Sequence, residues 1–145
     1  MQVLVTGGAG YIGSVVNQAL MRSGHAVIVY DDLRNGHADA VPPGTPLVRA
    51  DLTDREALTS ALRKYEIQAV VHMAADCLVG ESMADPGKYY RNNLTAGVSL
   101  LECDGSVGRR RSTRRWRDLR RRRLCLCGLP RHEASKDHLL GIRRW

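Results

Sequence analysis

The most informative motif of this chain is Val3-Leu4-Val5-Thr6-Gly7-Gly8-Ala9-Gly10-Tyr11-Ile12-Gly13. A short apolar run rich in β-branched residues ends at Thr6, and Gly7, Gly10 and Gly13 follow at intervals of three. An apolar pattern with a helical period begins directly afterwards. A strand, a glycine turn and a helix in this order place a pyrophosphate at a helix N-terminus. The stretch therefore predicts a dinucleotide-binding site, and a simple tight turn is the alternative.

Each of the three glycines has its own physical role in this prediction. Gly7 permits a sharp turn after the strand, because a residue without Cβ adopts conformations closed to other residues. Gly10 lets backbone N–H groups approach phosphate oxygens without a side chain in the way. Gly13 lets the helix pack closely against the strand.

The net charge of +7 is spread unevenly along the 145 residues. Residues 1–102 carry 8 Lys and Arg against 11 Asp and Glu, whereas residues 103–145 carry 14 against 4. The two segments therefore sum to −3 and +10, which indicates two parts of different character. No run of about 18 apolar residues occurs, so we expect no membrane-spanning segment. No basic segment precedes an apolar core at the N-terminus, so we expect a cytoplasmic protein.

Four apolar runs in the acidic segment predict buried strands, at residues 2–6, 26–30, 46–50 and 68–73. Helical patterns separate or follow these runs. The order predicts an α/β fold, the N-terminal half of a Rossmann-like doubly wound parallel sheet.

Three helices are predicted from apolar positions at helical spacing. Thr53-x-x-Glu56 predicts a capping box at the start of the second helix, and Asp85-Pro86 predicts the start of the third. Gly97 is expected to permit close packing of the third helix. The predicted buried faces are Ile12, Val15, Val16, Ala19 and Leu20; then Leu58, Ala61, Leu62 and Tyr65; and then Tyr90, Leu94, Val98 and Leu101.

Asp31 follows the second predicted strand, about 20 residues after the glycines. A carboxylate at this position accepts hydrogen bonds from the adenosine ribose hydroxyls and repels a 2′-phosphate. We therefore expect NAD rather than NADP as the cofactor. The alternative is a solvated acidic residue in a loop.

Five segments of residues 1–102 carry a resemblance to a known family. Residues 6–14, 30–36, 72–75, 79–82 and 89–93 read TGGAGYIGS, YDDLRNG, HMAA, VGES and YYRNN. They resemble motifs of the extended short-chain dehydrogenases/reductases and, within them, of the UDP-glucose 4-epimerases. The resemblance ends near residue 102.

This resemblance implies an isomerase that interconverts UDP-glucose and UDP-galactose by hydride transfer between the sugar C4 and a tightly held NAD. Other nucleotide-sugar epimerases or dehydratases of the family are the alternative. Full-length members pair as homodimers through helices, one of which corresponds to residues 86–102, although the sequence leaves pairing of this chain open. The cofactor-binding positions that the resemblance assigns are Gly7, Gly10, Tyr11, Ile12, Gly13, Asp31, Asn35, Asp51, Leu52, Met73, Ala74, Ala75 and Asn93.

The family's catalytic Tyr-x-x-x-Lys pair is absent from this sequence. Its lysines are Lys64, Lys88 and Lys136, and none follows a tyrosine by four residues. The proton of the sugar 4-hydroxyl therefore has no identifiable base. We assign no catalytic residue and expect this chain to be inactive by itself. Asp76-Cys77 also stands where the family has a lysine that helps to hold the cofactor.

The basic segment, residues 103–145, departs from the family and contains ten arginines between residues 109 and 123. A change of reading frame is the favoured hypothesis. One allowed set of codons for Cys103–Arg109, read one base later, gives Ala-Met-Val-Ala-Trp-Gly-Val, a segment of the kind that the family has there. We expect the segment to lack regular structure and to leave the fourth strand as an exposed sheet edge.

Two other interpretations of the basic segment remain open. Its arginines would bind nucleic-acid phosphates, at least without sequence preference. A metal site from Cys125, Cys127, His132 and His138 is the third interpretation, but their spacing fits no familiar zinc pattern. We therefore assign no metal ligand.

The frame hypothesis makes a prediction about the gene. We expect a single-base change near the codon of Cys103 to open a frame that encodes Tyr-x-x-x-Lys further downstream. Sequencing of the gene from the codon of Thr95 onward checks this. An intact frame through the codon of Trp145, with no such motif in the neighbouring frames, would contradict it.

Overall fold

Five parallel strands form one sheet in the computed structural model, which describes residues 1–111 and 123–126. The strands in chain order are β1 Gln2–Thr6, β2 Ala26–Asp31, β3 Leu47–Arg49, β4 Ala69–His72 and β5 Arg123–Leu126. Their order across the sheet is β3-β2-β1-β4-β5. The predicted α/β fold with a Rossmann-like parallel sheet is confirmed.

Four α-helices accompany the strands in the described residues. They are α1 Tyr11–Arg22, α2 Arg55–Lys64, α3 Val79–Ala84 and α4 Pro86–Arg111. A short 3₁₀ turn, Ala38–Ala40, lies between β2 and β3. The sequence predicted no helix at α3, because six residues are too few to display a helical period. Among the described helices, none combines the length and the apolar character that crossing a bilayer requires.

The central strand β1 is buried on both faces of the sheet. Leu4 belongs to a core cluster that includes Leu58 and Leu62 of α2 and Leu100 of α4. On the opposite face, Val5 belongs to a valine cluster against which α1 packs. Both faces of the sheet are therefore covered, as the continuous apolar run at residues 2–6 predicted.

The buried face of α1 differs from the predicted one. Ile12 and Val15 are 61% and 58% exposed, and Ala19 is exposed as well. The helix instead buries Gly13 and Asn17. Because Gly13 has no side chain, α1 approaches the glycine turn so closely that its line of contact runs along residues 13, 16, 17 and 20.

The predicted buried face of α4 is wrong. Its four large apolar residues, Tyr90, Leu94, Val98 and Leu101, are between 48% and 69% exposed. The face that contacts the core carries mainly smaller side chains, so hydrophobicity alone pointed to the opposite side. Gly97 does not mediate close packing either, since nothing lies within 4 Å of a Cβ built there. The buried residues are Tyr89, Ala96, Ser99, Leu100 and Cys103.

The helix caps follow the sequence only in part. Asp85 caps α4 as predicted, because its Oδ1 accepts a hydrogen bond from the Lys88 N–H at 3.0 Å. The predicted capping box of α2 is wrong. Asp54, one residue later than expected, is the N-cap and accepts from the Ala57 N–H at 3.0 Å. Thr53 instead donates to Asp51.

The expected exposed edge at β4 is also wrong. β5 pairs with β4 in parallel and brings Leu124 opposite Val70. In addition, α4 continues to Arg111, so parts of residues 103–145 have regular structure. Residues 112–122 and 127–145, with the candidate metal ligands Cys127, His132 and His138, lie outside the described residues.

A pair of leucine substitutions tests the orientation of α4. Leu100→Ala removes a fully buried side chain and is expected to lower the free energy of unfolding by about 2–5 kcal/mol. Leu94→Ala, the matched control on the exposed face, is expected to change it by at most about 0.5 kcal/mol. Urea denaturation followed by circular dichroism measures both. Equal losses would show that the two faces are assigned incorrectly.

Candidate cofactor-binding site

A cavity of about 370 Å³ lies where the carboxyl ends of four neighbouring strands meet. Its lining comes from the segments that follow β1, β2, β3 and β4, and from Asn92 and Ala96 of α4. In open parallel sheets, ligands bind outside the carboxyl ends of the strands. This cavity is therefore the candidate cofactor site.

Neighbouring backbone atoms pack directly against the glycines of the turn. Gly7 has a φ of +68°, and its N–H donates to the Tyr30 carbonyl at 2.9 Å. A Cβ on Gly7 would lie 2.6 Å from the Ala74 nitrogen, and one on Gly13 would lie 2.1 Å from the Gly7 oxygen. Any side chain at these two positions would force the turn, α1 and the end of β4 apart.

The N-terminus of α1 is open to an anionic ligand. Gly10 is the N-cap, no side chain caps the helix, and its first turn contains no acidic residue. The N–H groups of a first helical turn have no partner within the helix and carry partial positive charge. This helix end, bordered by Tyr11 and Ile12, therefore fits a pyrophosphate.

Asp31 is oriented by the turn that it faces. Its Oδ2 accepts from the Ala9 N–H and its Oδ1 from the Leu33 N–H, both at 2.9 Å. A carboxylate has about four acceptor positions, so positions remain for the hydroxyls of a ribose. The side chain is buried in part by Gly36, where an added Cβ would lie 2.9 Å from Asp31 Oδ1.

Asp51 is held in a similar way at the end of β3. Its Oδ1 accepts from the Thr53 N–H at 2.8 Å and from the Thr53 hydroxyl at 2.7 Å. These bonds, and secondarily the positive charge of Arg34, lower the pKa of Asp51. Asp51 and Leu52 line the same end of the cavity as Asp31.

Twelve of the thirteen predicted cofactor-binding residues line this cavity, including Asn35 and the segment 73–75. The exception is Asn93. Its Oδ1 accepts from the Asp76 N–H at 2.8 Å, and its Nδ2 donates to the Asp76 carbonyl at 3.1 Å. Asn93 therefore holds the backbone that follows β4 and does not line the cavity.

Sequence reasoning gave no role to several polar residues of the lining. Asp32, Asp76 and Asn92 all face the cavity, and Arg34 is the one positively charged residue among the described lining residues. The sequence signal for Arg34 and Asp32 was their place within YDDLRNG, directly after a predicted strand. The described lining of the cavity therefore contains four carboxylates and one guanidinium. These charged groups come from separate segments of the chain, so only the folded structure shows that they share one site.

The fold and the site together define a Rossmann-type dinucleotide-binding domain. The profile of the NAD dependent epimerase/dehydratase family matches residues 3–113, and the chain belongs to this family. It is 46% identical over 103 residues to the UDP-glucose 4-epimerase of Lactobacillus helveticus, an alignment that covers 71% of this chain and 31% of the relative.

Solved structures agree with this assignment. The UDP-glucose 4-epimerase of Thermus thermophilus in complex with NAD superposes with a TM-score of 0.71 at 42% identity, covering 74% of this chain and 35% of that one. A dTDP-glucose 4,6-dehydratase from Streptomyces venezuelae, with NAD bound, gives 0.68 at 32% identity, covering 74% and 37%. The chain thus spans about a third of the length of the relatives that it matches.

The hydrogen bonds of Asp51 predict a pH dependence of stability. Because its pKa is lowered in the folded chain, the carboxylate adds stability above its usual pKa of about 4, and this contribution is lost as the pH falls through the lowered value. Asp51→Asn is expected to flatten this acid limb. Urea midpoints from neutral to acidic pH measure it, with Asp39→Asn, at an exposed site outside the cavity, as the control. An unchanged acid limb in Asp51→Asn would contradict the assignment.

Proposed function

We propose that this chain is the NAD-binding N-terminal part of a UDP-glucose 4-epimerase. The whole enzyme would interconvert UDP-glucose and UDP-galactose through hydride transfer between the sugar C4 and NAD. The observation that carries the proposal is the glycine turn. Neighbouring backbone packs directly against Gly7 and Gly13, and the turn lines the same cavity as Asp31. The identity to UDP-glucose 4-epimerases supports the choice of substrate.

The residues of this chain would hold the two halves of the cofactor by different means. The open N-terminus of α1 fits the pyrophosphate, and Asp31 fits the adenosine ribose hydroxyls. Asp51 and Leu52 would contact the adenine. Met73–Ala75 would line the path toward the nicotinamide, where NAD supplies the hydride acceptor and donor.

Asn93 has a supporting part in this proposal. Its two hydrogen bonds to the backbone of Asp76 fix the segment that follows β4, which forms one wall of the cavity. The resemblance places this asparagine near the cofactor diphosphate. Here its side-chain oxygen and nitrogen both have backbone partners, so Asn93 acts by positioning the wall.

The resemblance implies a catalytic Tyr-x-x-x-Lys pair, which this chain does not contain. The chain also spans about a third of the length of its relatives. We therefore propose cofactor binding without turnover for the chain itself, and a UDP-sugar as the substrate of the whole enzyme. We further place that enzyme in the cytoplasm and in galactose metabolism.

Two features of the chain, one structural and one of the sequence alone, support partners beyond the cofactor. The exposed stripe of α4, formed by Tyr90, Leu94, Val98 and Leu101, supports pairing of two subunits in the full-length enzyme. The arginines of the basic segment support weak nucleic-acid binding without sequence preference. The structural likeness to a dTDP-glucose 4,6-dehydratase favours one other substrate class, a related nucleotide-sugar.

Calorimetric titration of the full chain with NAD tests the proposal. We expect binding that Asp31→Ala weakens by about ten- to a hundredfold, because hydrogen bonds to a charged acceptor are lost. The same substitution is expected to narrow the preference for NAD over NADP. Asp39→Ala, at an exposed site away from the cavity, is the control and should leave the affinity unchanged.

Two outcomes would overturn parts of the proposal. If the folded wild-type chain shows no heat of binding with NAD at two well-separated temperatures, it is not a cofactor-binding unit. Conversion of UDP-glucose to UDP-galactose by this chain with NAD would overturn the conclusion that it lacks the proton-transferring residues. Chromatographic separation of the two UDP-sugars after incubation measures that conversion.

A further inference from the structure

Arg34 is a half-exposed residue of the cavity lining that links its own loop to two other segments of the chain. Its Nε donates to Asp32 Oδ2, directly after β2. Its Nη2 lies 3.4 Å from Asp51 Oδ2, after β3, and donates to Asn92 Oδ1 of α4 at 3.2 Å. Asn92 is 58 residues away in the chain, so the guanidinium joins parts of the cavity rim that only the fold brings together.

Hydrogen bonds to two aspartate side chains fix the backbone of the loop that carries Arg34. Asp31 Oδ1 accepts from the Leu33 N–H, and Asp32 Oδ1 accepts from the Arg34 N–H, both at 2.9 Å. Leu33 has a φ of +62°, which an L-residue adopts only at an energetic cost. Two aspartate side chains thus hold the backbone in a strained turn that brings Arg34 into the lining of the cavity.

The position of these contacts identifies the end of the cavity that they cover. Asp31, Asp51 and Leu52, the residues assigned to the adenosine half of the cofactor, lie in the segments that Arg34 joins. Asn92 borders the same end from α4, one turn before Ala96. The Arg34 side chain, here called the Arg34 strap, therefore crosses the adenosine end.

The charges around the strap favour its closed arrangement. The hydrogen bond to Asp32, and further the charges of Asp32, Asp51 and Asp76, raise the pKa of Arg34. The side chain is nevertheless 52% exposed, so each contact is weakened by solvent. Contacts between exposed groups are individually weak, so the strap opens readily enough for a ligand to pass.

We infer that the Arg34 strap gates the adenosine end of the cavity and slows both entry and release of the dinucleotide, with Asn92 as its anchor on α4. This inference rests on the proposed NAD site. A gate that closes over the empty and the occupied cavity alike reduces both rate constants by the same factor. The dissociation constant therefore stays nearly unchanged when the gate is removed.

Asn92→Ala is the main test, because it cuts the link to α4 without changing any charge. Stopped-flow fluorescence with NADH gives the association rate, and displacement of NADH by excess NAD gives the release rate. We expect both rates to rise about threefold and the dissociation constant to stay within about twofold. Arg34→Ala is expected to raise the release rate about tenfold.

Arg55→Ala is the matched control. Arg55 also joins two elements, since its Nη2 lies 2.7 Å from Glu102 Oε2 of α4, but neither residue lines the cavity. Both rates should therefore stay at their wild-type values. The double variant of Arg34→Ala and Asn92→Ala should release NADH no faster than Arg34→Ala, because both changes open one gate.

Two kinetic results would overturn the inference. A rise in the release rate of Asn92→Ala with an unchanged association rate would make Asn92 a direct ligand contact. Unchanged rates in both Arg34→Ala and Asn92→Ala would mean that the strap does not limit passage.

Failure of the proposed function gives a different result, no NADH binding by the wild-type chain. The strap is then judged without cofactor, from the side-chain ¹⁵N signals of arginine in nuclear magnetic resonance spectra. A closed strap predicts slow rotation of the Arg34 guanidinium, which Asn92→Ala accelerates. Rotation in the wild-type chain as fast as that of the exposed Arg22 would overturn the inference.

Discussion

Direct backbone contact at the glycine turn holds the strand ends and the first helix in the positions that create the cavity. The Gly7 N–H bonds to the carbonyl of Tyr30, and the positions of absent Cβ atoms on Gly7 and Gly13 are already filled by neighbouring backbone. This contact draws the ends of β1, β2 and β4 and the start of α1 together. Without this contact the ends of the strands would separate, and the cavity between them would no longer be enclosed on the side of the glycine turn.

The polar groups around the cavity serve structure and site at the same time. Asp31 and Asp51 each accept hydrogen bonds from nearby backbone N–H groups, which orients their carboxylates toward one end of the cavity. Asn93 fixes the opposite wall through the backbone of Asp76. Orientation by internal bonds lowers the entropy that ligand binding has to overcome, because the side chains are already ordered.

Helix α4 illustrates how packing overrides hydrophobicity. Ala96 and Cys103 have smaller side chains than Leu94 and Val98, yet they lie on the buried face because small side chains let the helix approach the sheet. The larger Leu94 and Val98 face outward, where they form an apolar stripe that monomeric proteins seldom expose. A pattern of large residues at helical spacing identified the helix correctly, but it selected the exposed face of the helix in place of the buried one.

Local sequence was sufficient to predict strands β1 to β4, the glycine turn, the three longer helices and the position of Asp31. These features depend on near neighbours in the chain, on side-chain period and on the conformational freedom of glycine. Tertiary structure decided which face of α4 is buried, the pairing of β5 with β4, and the meeting of Arg34 with Asn92. Those outcomes depend on distances between segments far apart in sequence, and no local pattern encodes such distances.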